Sequence, residues 1–348
     1  MPVGDDQKLA MWREVLALCR VKPGENIAVL TGETSLPQNI DMAMRAAVAA
    51  GAKVCRIDVP PGNAGGAFGQ RADVGVTPLS GHRIVVDTLK QVDMVLDLMG
   101  LLHSPEQLEI LAAGTRMLLV IEPPDMLANM IPSADDKRRV QAAQQRLKAA
   151  KTMTVTSKAG TDLTMPLGQF PTLAQWGFSD EPGHWDHWPS GFVATWPNEG
   201  ASAGRVVIDT GDILLPFKFY VQSKVELDIS DGFITRIGGG FDAKYLRKHL
   251  ESYNDPAAFG IAHVGWGLHP KAHWSALGLR DKAQSHGMDA RSFAGNFLFS
   301  TGPNAEAGGS NHSPCHVDIP MADCSLSLDG EPMTVDGVLV AADQRLLA

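Results

Sequence analysis

The feature that most restricts this chain is the regular alternation, over its first 150 residues, of short unbroken apolar runs with amphipathic stretches. Leu9, Trp12, Leu16 and Cys19 recur at helical spacing, and Lys22-Pro23-Gly24 then punctuates before an apolar run at 26–31. A helix over 36–50 stops at Gly51, a residue suited to closing a helix, and a strand follows at 53–59. The pattern repeats as a helix at 82–90, a strand at 93–98, a helix from Pro105, a strand at 116–121 and a helix at 135–150. Strands that are apolar throughout and separated by single helices belong to a parallel sheet covered on both faces. Residues 1–150 are therefore expected to form an α/β domain with a mostly parallel sheet.

Beyond residue 150 the period changes. Alternating residues at 221–229 lead through Asp231-Gly232 into 233–237, and Asp329-Gly330 and Asp336-Gly337 supply further hairpin turns. Residues 151–348 are read as a mainly antiparallel β (α+β) domain with helices inserted at 241–253 and 271–277. A length of 348 residues suits two domains, each able to bury its own core.

Composition removes several classes of function. The apolar fraction of 44% and charged fraction of 20% are those of an ordinary globular protein, not of a disordered or coiled-coil chain. The net charge of −9 comes without any Lys/Arg stripe, so nucleic acid is not an expected partner. The first ten residues are polar and acidic, and no uninterrupted apolar run approaches about 18 residues. Neither a secretion signal nor a membrane segment is expected, and the cytoplasm is the expected location. Cys19, Cys55, Cys315 and Cys324 lack C-x-x-C spacing and read as reduced, mostly buried thiols.

Three stretches could carry chemistry. In His316-Val317-Asp318, on a strand, residues i and i+2 share a face, so imidazole and carboxylate point the same way, as adjacent metal ligands must. Spacing alone is weak evidence, because three such H-x-[D/E] triplets occur where about one is expected by chance. Of the other two, His249-Leu250-Glu251 lies in a helical stretch where i and i+2 face apart, a solvated face. His184-Trp185-Asp186 falls in the Pro- and Gly-flanked stretch 182–189, which reads as a loop: a lid or substrate-binding loop, a surface loop or, least of all, a metal site.

The second stretch runs from Ala262 to His273 and is led by His263, whose glycine neighbours permit close backbone approach. Taken alone, His263 is as compatible with a packed core histidine as with a ligand. The third is His103, directly ahead of Ser104-Pro105-Glu106-Gln107, a well-formed helix start. His103 thus stands at the carboxyl end of a parallel strand, where open α/β sheets bind ligands, and the adjacent helix N-terminus favours neutral imidazole. It is either a general base or a hydrogen-bonded loop histidine. The glycines of 60–69 follow two prolines and open no amphipathic helix, so a flexible loop is expected rather than a dinucleotide fingerprint.

On these residues the chain resembles the 2,5-dihydroxypyridine 5,6-dioxygenases of bacterial nicotinate and nicotine degradation, themselves related to the thermophilic metalloaminopeptidases. The likeness runs over the whole chain and is strongest at 261–270, 294–302 and 310–318, where Asn311-x-Ser313-x-x-His316-x-Asp318 is similar to the peptidase metal strand. The peptidase carboxylates are replaced here by Phe192, ahead of Thr195-Trp196-Pro197, and by His263, and a peptidase histidine is replaced by Asn296. The resemblance implies Fe(2+) held by His263, His316 and Asp318, a donor set that leaves positions for O₂ and a chelating substrate. It further implies cleavage of the C5–C6 bond to N-formylmaleamate without an organic cofactor, with His103 as acid-base residue. His187, Trp188 and Ser300 are expected to contact the small aromatic substrate, and a homo-oligomer is the expected assembly. Two rival readings are a two-metal hydrolase and a non-catalytic binder of small aromatic ligands.

Overall fold

The computed structural model describes residues 3–60, 77–102, 104–215 and 217–346. Expectations resting on His103 and on residues 61–69 lie outside the described residues. The chain forms two compact units: residues 1–134, 175–190 and 281–288 in the first, and 135–174, 191–280 and 289–348 in the second. The sequence reading divides the chain once, at residue 150. In the structure the helix Ala134–Ala149 lies essentially in the second unit, and two later segments return to the first. No helix among the described residues is long and apolar enough to cross a membrane.

The first unit is built as its apolar runs require. Its strands Asn26–Thr31, Met94–Asp97 and Arg116–Leu119 are almost wholly buried and pair in parallel, with Lys53–Asp58 at one edge. The helix Pro37–Ala49 opens on proline and is followed by Gly51 at φ +81°, the left-handed geometry that the sequence anticipates. In Pro105–Ala112 the Ser104 hydroxyl accepts the Gln107 N–H at 3.1 Å, the cap read from sequence.

The fifth strand corrects one expectation. Residues 182–189, read as a loop, contain Trp185–His187, which pairs in parallel with Met117–Leu119 and so extends this sheet. Three residues between Pro and Gly are too few to register as a period. Asp186 is fully buried and accepts backbone N–H groups of Trp176 (2.9 Å), Gly177 (3.0 Å) and His187 (2.7 Å), tying the returning segment together. Trp188 is equally buried: its indole donates to the Met130 carbonyl at 3.1 Å and meets Trp12 edge-on at 5.1 Å. The tryptophan expected to cover a pocket is core of the first unit. Glu122, also buried, accepts the N–H groups of His286 and Met288 at 2.9 Å each and so anchors the second returning segment.

Among the described residues the second unit holds a two-stranded sheet, Ile213–Leu214 with Phe219–Tyr220, and two large antiparallel sheets. One runs, in spatial order, Phe233–Gly239, Val225–Ser230, Ala203–Ile208, Asp162–Pro166, Thr152–Ser157, Cys324–Leu328, Glu331–Val335 and Val338–Leu339. Three of its hairpins turn at Asp231-Gly232, Asp329-Gly330 and Asp336-Gly337, each pair with φ positive at both residues, as a tight primed turn demands. The other runs Val317–Met321, Phe297–Thr301, Ile261–Gly267, Phe192–Thr195 and Thr172–Gln175. The helix expected at 241–253 is present as Phe241–Glu251. That expected at 271–277 is not: only Ala276–Leu279 is helical, because the backbone before it is bonded elsewhere. The His269 N–H goes to the Ser292 carbonyl, and the His269 ring accepts the Lys271 N–H at 3.1 Å.

Candidate metal centre

Three neighbouring strands of the five-stranded sheet, Ile261–Gly267, Phe297–Thr301 and Val317–Met321, assemble the site within the second unit. Asp318 pairs with Ser300 across the ladder, so its side chain shares the face of Ser300, and His316, two residues earlier, falls on the same face. His263 reaches that face through an irregularity. Ile261 opposes Thr301 and Val264 opposes Phe299, so Ala262 and His263 together oppose the single residue Ser300. This β-bulge re-aims the imidazole. The Ser300 hydroxyl donates to the His263 carbonyl at 2.6 Å and braces it. Gly302, at φ +123°, lets the adjacent chain pass, since a Cβ there would sit 2.0 Å from the Cys315 carbonyl oxygen.

The three donor atoms converge. His263 Nε2 lies 3.2 Å from His316 Nε2 and 3.2 Å from Asp318 Oδ1, and His316 Nε2 lies 3.1 Å from the same oxygen. Among the described residues this is the cluster whose donor atoms all fall within 4.8 Å of one another. A divalent cation at their meeting point would take one lone pair from each of the three side chains. An octahedral face around an ion bound at about 2.2 Å has edges of about 3.1 Å, so the residues present fit such an ion.

Arg291, not singled out from the sequence, completes the electrostatics. Its Nε–H donates to Asp318 Oδ2 at 2.6 Å, opposite the oxygen that faces the histidines. Burial pushes the Asp318 carboxyl up, but the charges of Arg291, His316 and His263 overcome it and hold the group well below the usual carboxylate range. Burial disfavours the His316 imidazolium, and the adjacent Asp318 carboxylate outweighs it, so His316 is raised. Asn296 holds backbone: its carbonyl oxygen accepts the Gly267 N–H at 2.6 Å, and its amide donates to the carbonyls of Ala290 (3.1 Å) and Arg291 (2.9 Å). No sequence pattern marks Arg291, because it approaches Asp318 from 27 residues away, out of the short helix Met288–Ser292 and across an intervening strand.

The other expected residues are distributed as follows. Ser300 belongs to the site as the brace just described. His187 is buried on the fifth strand of the first unit, and Trp188 follows it in that core. His249 packs edge-on against Phe217 and Tyr253, and His184 stacks on Trp176 at 4.4 Å; among the described residues neither rival triplet gathers a third ligand.

Fold and site together define the class: an α/β unit joined to an antiparallel β unit that presents two imidazoles and one carboxylate from a single sheet face. The family model for 2,5-dihydroxypyridine 5,6-dioxygenase matches residues 7–341. The 2,5-dihydroxypyridine 5,6-dioxygenase of Pseudomonas putida KT2440 is 49% identical over 346 residues, covering 99% of each chain. The chain belongs to the 2,5-dihydroxypyridine 5,6-dioxygenase family. The solved structure of 2,5-dihydroxypyridine dioxygenase from the same strain superposes with a TM-score of 0.96 over 99% of this chain and 100% of that one. AmpT from Thermus thermophilus, 15% identical, superposes with a TM-score of 0.62 over 97% and 100% of the two chains and shares the fold.

Proposed function

We propose that this protein is a ferrous-iron enzyme that opens the ring of 2,5-dihydroxypyridine with O₂, giving N-formylmaleamate in the breakdown of pyridines such as nicotinate. The observation that carries the reading is the convergence of His263, His316 and Asp318 in a chain of this family. Both atoms of O₂ end in the product, so no external reductant is needed. When bound, Fe(2+) supplies the one-electron chemistry that lets a closed-shell ring react with triplet oxygen.

The chain's residues hold, brace and move protons. His263, His316 and Asp318 are the proposed ligands, and Ser300 keeps His263 at its bulge. Only three protein ligands leave room beside them for a chelating hydroxypyridine and for O₂, whereas a two-metal hydrolase needs further carboxylates, in whose places this chain has Phe192 and His263, and a further histidine, in whose place it has Asn296. His103 is proposed to take the ring hydroxyl proton, and His187 is kept as a substrate contact. A cytoplasmic location and a homo-oligomer complete the reading.

The test is metal analysis and oxygen uptake of ferrous-reconstituted protein against hydroxypyridines and catechols. One iron per chain and uptake with 2,5-dihydroxypyridine are expected. In His263→Ala, His316→Ala and Asp318→Ala both should be lost with the fold intact. Two divalent ions with peptide hydrolysis, or ligand binding without oxygen uptake, would refute the proposal.

A further inference from the structure

Asp318 carries two oxygens, and the structure treats them differently. Oδ1 lies 3.1 Å and 3.2 Å from the two histidine nitrogens, and Oδ2 accepts the Arg291 Nε–H at 2.6 Å. Arg291 is itself held from behind, because Asn296 binds its carbonyl at 2.9 Å while accepting the Gly267 N–H from the strand that carries His263. The Arg291 backbone is thus tied to the strand that carries His263, and its guanidinium meets the carboxylate in a site where Asp318 is 4% exposed.

We infer that Arg291 is a positioning residue that restricts Asp318 to donating one oxygen to the metal. This rests on the metal reading proposed above. A carboxylate free to turn can chelate through both oxygens, and would then take two positions of an octahedral ion where one suffices. With two histidines beside it, that leaves one position too few for a chelating ring and O₂ together. A charge-assisted bond from a planar guanidinium occupies the outer oxygen and opposes that rotation. Arg291 thus sets how many exogenous ligands the ion can accept, without itself being a ligand.

Cobalt and azide test this without substrate. Cobalt(II) is titrated into wild type, Arg291→Met and Arg291→Lys, the visible spectrum is recorded, and azide is then added as an exogenous ligand. Arg291→Met should still take one cobalt, show an altered spectrum and bind azide about 10- to 100-fold more weakly, with Arg291→Lys between it and wild type. Identical spectra and azide affinities in all three proteins would overturn the inference. So would loss of cobalt from Arg291→Met at an unchanged melting temperature, which would make Arg291 a charge partner only. Should that variant not fold, the infrared difference spectrum of wild type on cobalt addition decides. A wide separation of the carboxylate stretches is expected for one-oxygen binding, and the narrow separation of a chelate would refute it. If wild type takes up no cobalt, the metal reading has failed instead.

Discussion

Replacing Ser300 by alanine distinguishes a brace from a substrate contact. The hydroxyl donates to the His263 carbonyl at 2.6 Å, at the bulge that turns the imidazole toward His316 and Asp318. The substitution leaves that part-buried carbonyl without this donor, a loss of about 1–3 kcal/mol. If the whole of it falls on the aim of His263, metal affinity drops about 5- to 150-fold. If it is shared with the fold, part appears as a lower melting temperature. Competitive titration of Fe(2+) or cobalt against a chelator of known affinity, with thermal melts of the metal-free protein, separates the two. The reasoning is refuted if Ser300→Ala keeps wild-type metal affinity and stability while the KM for 2,5-dihydroxypyridine rises. That result would return Ser300 to the substrate-contact role expected from sequence.

Three further outcomes are expected. His103→Ala should keep its iron and bind substrate yet lose about 10²- to 10⁴-fold in kcat; unchanged kcat with a lower melting temperature would make His103 a packing residue. Glu122→Ala strips the part-buried N–H of His286 and the buried N–H of Met288 of their acceptor and should cost about 1–4 kcal/mol in denaturant unfolding; a loss below about 0.5 kcal/mol would show that the segment is held by other contacts. Burial raises Asp186 to about 8 against the backbone N–H bonds that lower it, so the native state keeps a proton that the unfolded chain releases near its ordinary carboxylate value. Its contribution is present at low pH and is lost as pH rises through about 8. Melting curves of wild type and Asp186→Asn across this window should therefore diverge in slope, and parallel curves would contradict the assignment.

Much of this architecture was legible in one dimension. Unbroken apolar runs separated by helices announced the parallel sheet, Ser104-Pro105 its cap, and three Asp-Gly pairs their hairpins, because each depends on forces acting within a few residues. His316 and Asp318 share a face by the two-residue period of a strand, a local property as well. Features that depend on distant backbone were hidden. The stretch 182–189 read as a loop because a three-residue strand has no period, and only pairing with Met117–Leu119 makes it one. The predicted helix at 271–277 gave way to turns because Ser292 and the His269 ring supply competing hydrogen bonds.

The sequence by itself determined which side chains were available for chemistry and, through strand periodicity, that His316 and Asp318 point together. Tertiary structure alone decided that His263 joins them, since its direction comes from one extra residue opposite Ser300 and cannot be read from its own neighbours. It also decided that Arg291 takes one oxygen of Asp318 and leaves the other to the histidines. Local periodicity sets the face on which a residue lies, but which atoms come within 3.2 Å of one another is set by ladder register and long-range packing.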